Sequence, residues 1–183
     1  MPKVSEEHKQ RRRDQILEGA QRAFARYGYE GATVARLEQE TGLSRGAIFS
    51  YFENKQALFV ALVARSSERF VEIWLERGYR ALLDAVAHED ADWLSVQVEA
   101  TRRIRTDERF REQVKRLEEG TAARRQSRYE RLQTSVRGDV PIEVAAQFLG
   151  MLANGVAFAR ATDDPLPDLD ELMKLIETGV APR

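Results

Sequence analysis

The chain has 183 residues, a hydrophobic content of 43% and a formal net charge of −1, which predicts a packed globular protein of one or two domains. It contains no cysteine, so disulfides, thiolate zinc sites and cysteine nucleophiles are excluded. Its two histidines lack metal-ligand spacing. Because no apolar run approaches the roughly 18 residues of a membrane span and the N-terminus lacks a signal-peptide core, we expect a cytoplasmic protein with no membrane partner.

The overall charge conceals a difference between the two ends of the chain. Residues 1–55 carry 10 Lys and Arg against 8 Asp and Glu, whereas residues 56–183 carry 19 against 22. A modestly basic end on an acidic body is compatible with DNA binding through that end. The consecutive arginines Arg11, Arg12 and Arg13 either form an arm that reaches DNA or lie in a solvated tail.

Apolar residues recur at helical spacing along nearly the whole chain, and residues 3–140 contain no proline, which predicts an all-α protein. We expect about nine helices, over residues 7–27, 34–40, 45–52, 55–76, 79–88, 91–105, 107–136, 141–161 and 168–179. Gly28 is expected to follow the end of the first helix. The expected caps of the second, third and fourth helices are Thr33, Ser44 and Asn54.

Residues 33–55, TVARLEQETGLSRGAIFSYFENK, have the features of a helix-turn-helix. Such a motif places its second helix in the major groove of DNA. Gly42 lies where the turn needs a positive φ angle, and Gly46 and Ala47 are small enough to let the second helix approach the bases. The apolar residues spaced to pack between the two helices are Leu37, Leu43 and Ile48.

With its flanks, this block resembles the DNA-binding domain of the TetR family of regulators. The matching flanks are FARYGYEGATV, residues 24–34, and ENKQALF, residues 53–59. The resemblance implies a three-helix DNA-binding domain over residues 1–53 and a C-terminal helical bundle for ligand binding and dimerisation over residues 54–183. It also implies a set of residues that contact double-stranded DNA, namely Thr33, Ser44, Arg45, Ala47, Phe49, Ser50, Tyr51 and Lys55.

These positions have different expected roles. Thr33 and Lys55 resemble the family's phosphate contacts, which position a protein on DNA without reading sequence. Arg45 can donate two hydrogen bonds to guanine, the commonest base-specific contact. Two positions depart from the family's pattern. Phe49 replaces the usual tyrosine and has no hydroxyl for a phosphate, and Glu38 replaces a small residue, so it either turns outward, pairs with an arginine or alters the angle between the two helices.

The helix expected over residues 141–161 is rich in small residues, namely Ala145, Ala146, Gly150, Ala153, Gly155 and Ala159. Small residues let a partner helix approach, and the family usually dimerises through its last two helices. We therefore expect a homodimer that reads a palindromic operator. The alternative is that these residues pack only within the monomer. The apolar residues that form ordinary core or line a ligand pocket include Trp93, Val96, Phe110, Val114, Leu117, Phe148, Met151 and Leu152.

Longer segments resemble one subgroup of the family, the aconitase repressors of actinobacteria. They are EGATVARLEQETGLSRGAIF, DWLSVQVEATRRIRTDERF and DVPIEV. The resemblance implies a tricarboxylate effector such as citrate, carried with Mg²⁺, with Arg128 binding the carboxylates and Glu177 binding the metal. The subgroup has His-His-Phe where this chain has Ser50-Tyr51-Phe52, so the operator does not follow from the resemblance.

The sequence therefore predicts a transcriptional regulator of the repressor type. A small-molecule effector would shift its dimer between conformers that bind the operator with different affinities. An enzyme is not expected, because the sequence offers neither a nucleophile–base pair nor an HExxH metal motif. The alternatives are a helical interaction protein and an activator without ligand control.

Overall fold

The structure is a computed structural model that describes residues 6–116, 119, 127, 130 and 138–179. These residues form helices and connections, with no strand among them, which confirms the all-α prediction. The helices are α1 (Glu6–Gly31), α2 (Val34–Thr41), α3 (Arg45–Phe49), α4 (Lys55–Ala87), α5 (Ala91–Thr106), α6 (residues 108–116), α7 (Ile142–Thr162) and α8 (Leu169–Gly179). Most of the helix predicted over residues 107–136 lies outside the described residues.

Two glycines interrupt helices that continue beyond them. Gly28 has φ 68° and ψ 174° within α1, and Gly78 has φ 81° and ψ 174° within α4. The predicted helix ends near residues 27 and 76 therefore coincide with local kinks. The backbone of α4 is non-helical at Gly78, so α4 consists of two helical segments, which agree with the helices predicted over 55–76 and 79–88. The described part of the chain thus has eight helical elements, two of them kinked at a glycine, where about nine helices were predicted.

The first core surrounds Phe59, near the beginning of α4. Its ring centroid lies 5.0 Å from that of Phe24 and 4.9 Å from that of Tyr29, both on α1. Trp93 of α5 and Phe110 of α6 approach the same ring, with centroids at 6.5 and 5.9 Å. Aromatic rings bring large buried areas and favour such tilted or edge-on contacts. One aromatic cluster thus contains residues from both sides of the predicted domain boundary at residue 53.

The second core lies around the other end of α4, where α7 and α8 pack against it. Its largest members are Trp74, Leu82, Leu83 and Val86 of α4, Leu149 and Val156 of α7, and Met173 and Ile176 of α8. α4 therefore belongs to both cores. Trp74 lies on the same side of the Gly78 kink as Phe59, so a movement of α7 or α8 against Trp74 can reach Phe59 along one helical segment.

α7 has an apolar side that is exposed in the single chain. Val144, Phe148, Met151 and Phe158 are 54%, 39%, 66% and 52% exposed, and Leu175 of α8 is 71% exposed. The expectation that Phe148 and Met151 are ordinary core residues was wrong, because neither is buried in the single chain. The expected core residues Trp93, Val96 and Phe110 are buried, and Leu117 lies outside the described residues.

α7 also corrects the expectation that no segment approaches the length of a membrane span. By length and composition it could cross a membrane, with a mean hydropathy of 1.4 over its most apolar window. Its alanines and its large aliphatic residues account for that value. Because Ala145, Leu149 and Val156 pack in the second core, α7 also has the pattern of a bundle helix with one side left for a partner.

Candidate DNA-binding site

α2 and α3 form the predicted helix-turn-helix. Thr33 Oγ1 accepts a backbone N–H at 3.4 Å and Ser44 Oγ accepts one at 3.3 Å, each from three residues further along, so both predicted caps are confirmed. Gly42 ends α2 with φ 70°, and its N–H donates to the Glu38 carbonyl at 2.9 Å. Residues with a Cβ rarely adopt this conformation. Gly42 therefore sets the direction in which the chain enters α3.

Two apolar side chains hold the angle between α2 and α3. Leu37 of α2 and Ile48 of α3 are both 0% exposed, and Leu43 in the turn packs against the same core. Complete burial of such a side chain stabilises the fold by about 1.5–3 kcal/mol. The inner side of α3 is thereby fixed, so its outer side is presented in one orientation.

α1 supports the end of α2 by direct backbone contact. A Cβ on Gly19 would lie 2.6 Å from the Cα of Thr41 and 2.7 Å from the carbonyl oxygen of Glu40. Gln15 Nε2 donates to the Thr41 carbonyl at 3.1 Å, and Arg22 Nη2 donates to the Glu40 carbonyl at 2.7 Å. The last carbonyls of a helix have no partner inside it. These two donors therefore complete α2 and fasten it to α1.

Glu38 connects α2 to α3. Its Oε1 atom accepts the backbone N–H of Arg45 at 2.6 Å. Arg45 is the first residue of α3, where N–H groups lack helical partners and the helix dipole favours a negative charge. Glu38 therefore adopts none of the roles that the sequence left open in the form expected, because it caps α3 by accepting a backbone N–H, and among the described residues no ion pair includes it. This hydrogen bond does not occupy the Arg45 guanidinium.

The outer side of α3 is open to solvent. Arg45 and Ser50 are exposed, and Ala47 is partly buried. A Cβ on Gly46 would meet no atom within 4 Å, so nothing in the described chain covers this side. Ser50 Oγ donates to the Ala47 carbonyl at 2.8 Å. Of the residues expected to face DNA bases, Arg45 is thus exposed at the first position of α3.

The end of α3 differs from the prediction. The helix was expected to reach Phe52, but it ends at Phe49 with Ser50 as its C-terminal cap. Phe52 is buried, at 6% exposure, and its burial turns the chain back toward the core. Phe49 and Tyr51 are partly buried and pack against the first core. Their predicted DNA contacts could therefore involve only the outer edges of their rings.

The two predicted phosphate contacts lie at the starts of α2 and α4. Thr33 is exposed and caps α2. Lys55 begins α4, which Asn54 caps as predicted by accepting a backbone N–H at 2.8 Å. Lys55 Nζ donates to the Tyr29 carbonyl at 2.9 Å, and burial lowers the pKa of Lys55. Lys55 Nζ also donates to the Glu30 carbonyl at 3.5 Å, and because an ammonium has three donors, one remains for a phosphate.

The three consecutive arginines near the N-terminus are part of helix α1. They therefore form neither of the two arrangements considered from the sequence, a free arm or a solvated tail. Arg13 lies over the Phe52 ring, with Cζ 4.8 Å from the centroid. Arg12 donates to the Gln15 side chain at 2.9 Å. Arg11 is exposed.

The predicted effector residues belong to the C-terminal half. Arg128 lies outside the described residues. Glu177 is exposed on α8 and lies near Tyr79, whose pKa is raised mainly by burial and further by the Glu177 charge. In the part of the chain that the structure describes, no group of three or more His, Asp or Glu is placed to hold a metal ion.

The sequence matches known regulators along most of its length. Residues 16–62 match the family described as bacterial regulatory proteins, tetR family. The HTH-type transcriptional repressor Rv1474c of Mycobacterium tuberculosis is 41% identical over 188 residues, which cover 98% of each chain. This chain belongs to the TetR family.

Two further similarities refine the position of this TetR-family chain. The HTH-type transcriptional repressor AcnR of Corynebacterium diphtheriae is 40% identical over 187 residues, covering 98% of this chain and 97% of that one. This chain therefore belongs to the aconitase-repressor subgroup of the TetR family. A transcriptional regulator from Saccharomonospora viridis, solved in complex with choline, has the same fold, with a TM-score of 0.63 and 19% identity over 95% of this chain and all of that one.

Membership in the TetR family decides the class of function. The relatives are transcriptional repressors, so this chain is a DNA-binding transcriptional regulator and not an enzyme. The helix-turn-helix of α2 and α3 is the element that such regulators use to bind DNA.

Proposed function

We propose that this TetR-family chain is a cytoplasmic repressor that binds a palindromic operator as a homodimer and changes its affinity on binding a small-molecule effector. The geometry of α3 supports the proposal most directly. The helix is capped by Ser44, fixed on its inner side by Ile48, and exposes Arg45 and Ser50 on its outer side. A helix in this arrangement can enter the major groove without rearranging the core.

In this proposal some of the residues contact DNA bases and others contact phosphates. Arg45 donates to the O6 and N7 atoms of guanine, a contact worth about 1–3 kcal/mol of discrimination. Ser50 and Tyr51 lie beside it at the end of α3. Thr33 and Lys55 bind phosphates on either side and set the register without reading sequence.

The exposed apolar side of α7 supports the homodimer. Val144, Phe148, Met151 and Phe158 follow one another along the helix at intervals of four, three and seven residues. Gly155 lies between Met151 and Phe158, and a Cβ there would meet nothing within 4 Å. A stripe of large apolar residues around a glycine allows the same helix of a second copy to pack closely, and a two-fold axis then pairs the two α3 helices with successive major grooves.

We propose citrate with Mg²⁺ as the effector, bound by Arg128 and Glu177. Mg²⁺ bound to a protein usually retains several water molecules, and the protein itself supplies only one or two carboxylate ligands. A single exposed carboxylate on α8, Glu177, fits that requirement because citrate supplies further oxygens. The metal would link the effector to α8, and the Arg128 guanidinium would bind a citrate carboxylate.

The fold offers a route from this site to the DNA-binding helices. α8 packs on α4 through Met173 and Ile176, and α4 carries Phe59 in the core of the helix-turn-helix. An effector that binds one arrangement of α8 and α4 more tightly shifts the population toward it. Operator affinity then changes by the differential affinity of the effector for the two arrangements, typically about 5–150-fold.

The effector proposal predicts that citrate and Mg²⁺ together weaken DNA binding by roughly tenfold or more, whereas neither does so alone. The measurement is fluorescence anisotropy of a labelled duplex from the region upstream of the chain's own gene. Glu177→Gln should abolish the response and leave DNA binding without citrate unchanged. Glu171→Gln, which removes an exposed carboxylate from the same helix, should respond like the wild type.

Two results would count against this effector. If DNA binding is indifferent to citrate with Mg²⁺, the tricarboxylate is wrong although the repressor stands. If Glu177→Gln responds as the wild type does, Glu177 is not a ligand. Calorimetry of citrate with Mg²⁺ binding to the DNA-free protein distinguishes failure to bind from binding without an effect on DNA.

A further inference from the structure

α5 contacts the end of α1 through a group of residues that we name the Tyr29 cluster, consisting of Tyr29, Glu30, Lys55, Glu99 and Arg103. The Tyr29 backbone N–H donates to Glu99 Oε2 at 3.3 Å, although the two residues are 70 positions apart. Arg103 forms an ion pair with Glu30. Glu99 and Arg103 lie one turn apart on α5, so one side of α5 holds the segment that leads from α1 into α2.

The Tyr29 ring is a fixed surface at the centre of this cluster. It is 6% exposed, and its centroid lies 5.8 Å from that of Phe24 and 4.9 Å from that of Phe59. Two cations lie against the ring, with Arg103 Cζ at 3.8 Å and Lys55 Nζ at 4.5 Å from the centroid. Because cations are attracted to the faces of aromatic rings, Tyr29 connects Arg103 of α5 to Lys55 of α4.

Lys55 is held by Tyr29 in a second way. Its Nζ atom donates to the Tyr29 carbonyl at 2.9 Å. The partly buried ammonium has a lowered pKa, mainly because burial disfavours its charge; the Arg103 charge lowers the pKa further, while Glu30 and Glu99 counteract the lowering. A lysine side chain is long and flexible, so these contacts decide where the ammonium lies.

We infer that Glu99 and Arg103 are positioning residues for DNA binding, which hold Tyr29, and through it Lys55, where Lys55 contacts a phosphate. This inference rests on the phosphate contact of Lys55 in the proposed function. It gives the C-terminal half a direct connection to the DNA-contacting surface, separate from the route along α4. A shift of α5 would then loosen Lys55 while α2 and α3 keep their geometry.

The salt dependence of DNA binding separates this role from a purely structural one. The full-length protein is titrated into a labelled mixed-sequence duplex at NaCl concentrations between about 50 and 200 mM, and log Kd is plotted against log salt. Each lost phosphate contact reduces the slope by about 0.9. Arg103→Met is expected to weaken binding roughly tenfold and to reduce the slope per protomer by about 0.9, as Lys55→Met does.

A matched control and a double variant identify how Arg103 acts. Arg102→Met removes the same charge from the neighbouring exposed position on α5 and should leave the slope unchanged. If Arg103 acts through Lys55, the variant with both Lys55→Met and Arg103→Met has the slope of Lys55→Met alone. A further loss of about 0.9 in the double variant would mean that Arg103 itself contacts phosphate, and would overturn the inference.

For the carboxylates Glu30 and Glu99, the inference and a simple change of net charge predict opposite changes in DNA affinity. Glu30→Gln and Glu99→Gln each remove a negative charge, so a change in net charge alone would tighten DNA binding. The cluster predicts weaker binding instead, because Glu99→Gln removes the charged acceptor of the Tyr29 N–H and Glu30→Gln removes the ion pair that holds Arg103. Tighter binding in both variants would overturn the inference.

Folding of each variant is verified by its thermal unfolding. Arg103→Lys keeps the ion pair with Glu30 and is expected to retain most of the affinity. A folded Arg103→Met with the wild-type slope would overturn the inference while the proposed function stands. If the wild type binds no duplex at all, the proposed function fails first.

Discussion

Replacing Phe59 with alanine is expected to lower the free energy of unfolding by about 3–5 kcal/mol, the range for removing a buried phenylalanine. Phe59 is 0% exposed, and its ring contacts those of Phe24, Tyr29, Trp93 and Phe110. The substitution would leave a cavity where α1, α4, α5 and α6 meet. Because a typical domain is stable by only about 5–15 kcal/mol, the variant should unfold at markedly lower denaturant concentration.

Denaturant unfolding followed by circular dichroism measures this effect. The protein concentration must be the same for all variants, because dimerisation contributes to apparent stability. Phe59→Leu, which keeps most of the volume, should lose less than Phe59→Ala. Equal losses in Phe59→Ala and Phe59→Leu, or a loss below about 1 kcal/mol in Phe59→Ala, would contradict the central position of this ring.

Replacing Phe158 with glutamate is expected to convert the protein to monomers and to weaken operator binding by two orders of magnitude or more. In the proposed dimer, this ring is buried against the second copy of α7, and an unpaired charge there is costly. When two half-sites are bound by linked modules, the gain over one module is about 10²–10⁴-fold. Loss of the dimer removes that gain although α3 is unchanged.

Light scattering after size-exclusion chromatography gives the oligomeric state, and anisotropy gives operator affinity. Ser67→Glu adds the same charge at an exposed position on α4 and should remain dimeric with wild-type affinity. A Phe158→Glu variant that stays dimeric would show that another surface forms the dimer. Binding of the wild type to lipid vesicles would instead assign the apolar side of α7 to a membrane.

The parts of the fold that could be predicted from the sequence depend on local interactions. Caps at Thr33, Ser44 and Asn54 were predicted and found, because a cap requires only a side-chain oxygen three residues before an unpaired N–H. The positive φ angle of Gly42 likewise follows from the turn itself. The exposure of Gly46 and Ser50 follows from the helical period, because each lies two residues from the buried Ile48 and so on nearly the opposite side of α3.

The contacts that could not be predicted join residues far apart in sequence. Nothing in the sequence marks Glu99 as the partner of a backbone N–H 70 residues earlier. Arg103 could not be distinguished from its neighbours Arg102 and Arg105, because the order along α5 does not show which side meets α1. Glu38 could be assigned only once the position of Arg45 was known.

The central claim is that this TetR-family chain reads DNA through α3, and an anisotropy titration tests it most directly. Wild-type protein, Arg45→Ala and the control Arg102→Ala are titrated into duplexes from upstream of the chain's own gene and into an unrelated duplex. We expect the wild type and Arg102→Ala to prefer an upstream duplex, and Arg45→Ala to lose roughly 1–3 kcal/mol of that preference per half-site. Equal preference in Arg45→Ala and the wild type would contradict reading of DNA by Arg45 on α3.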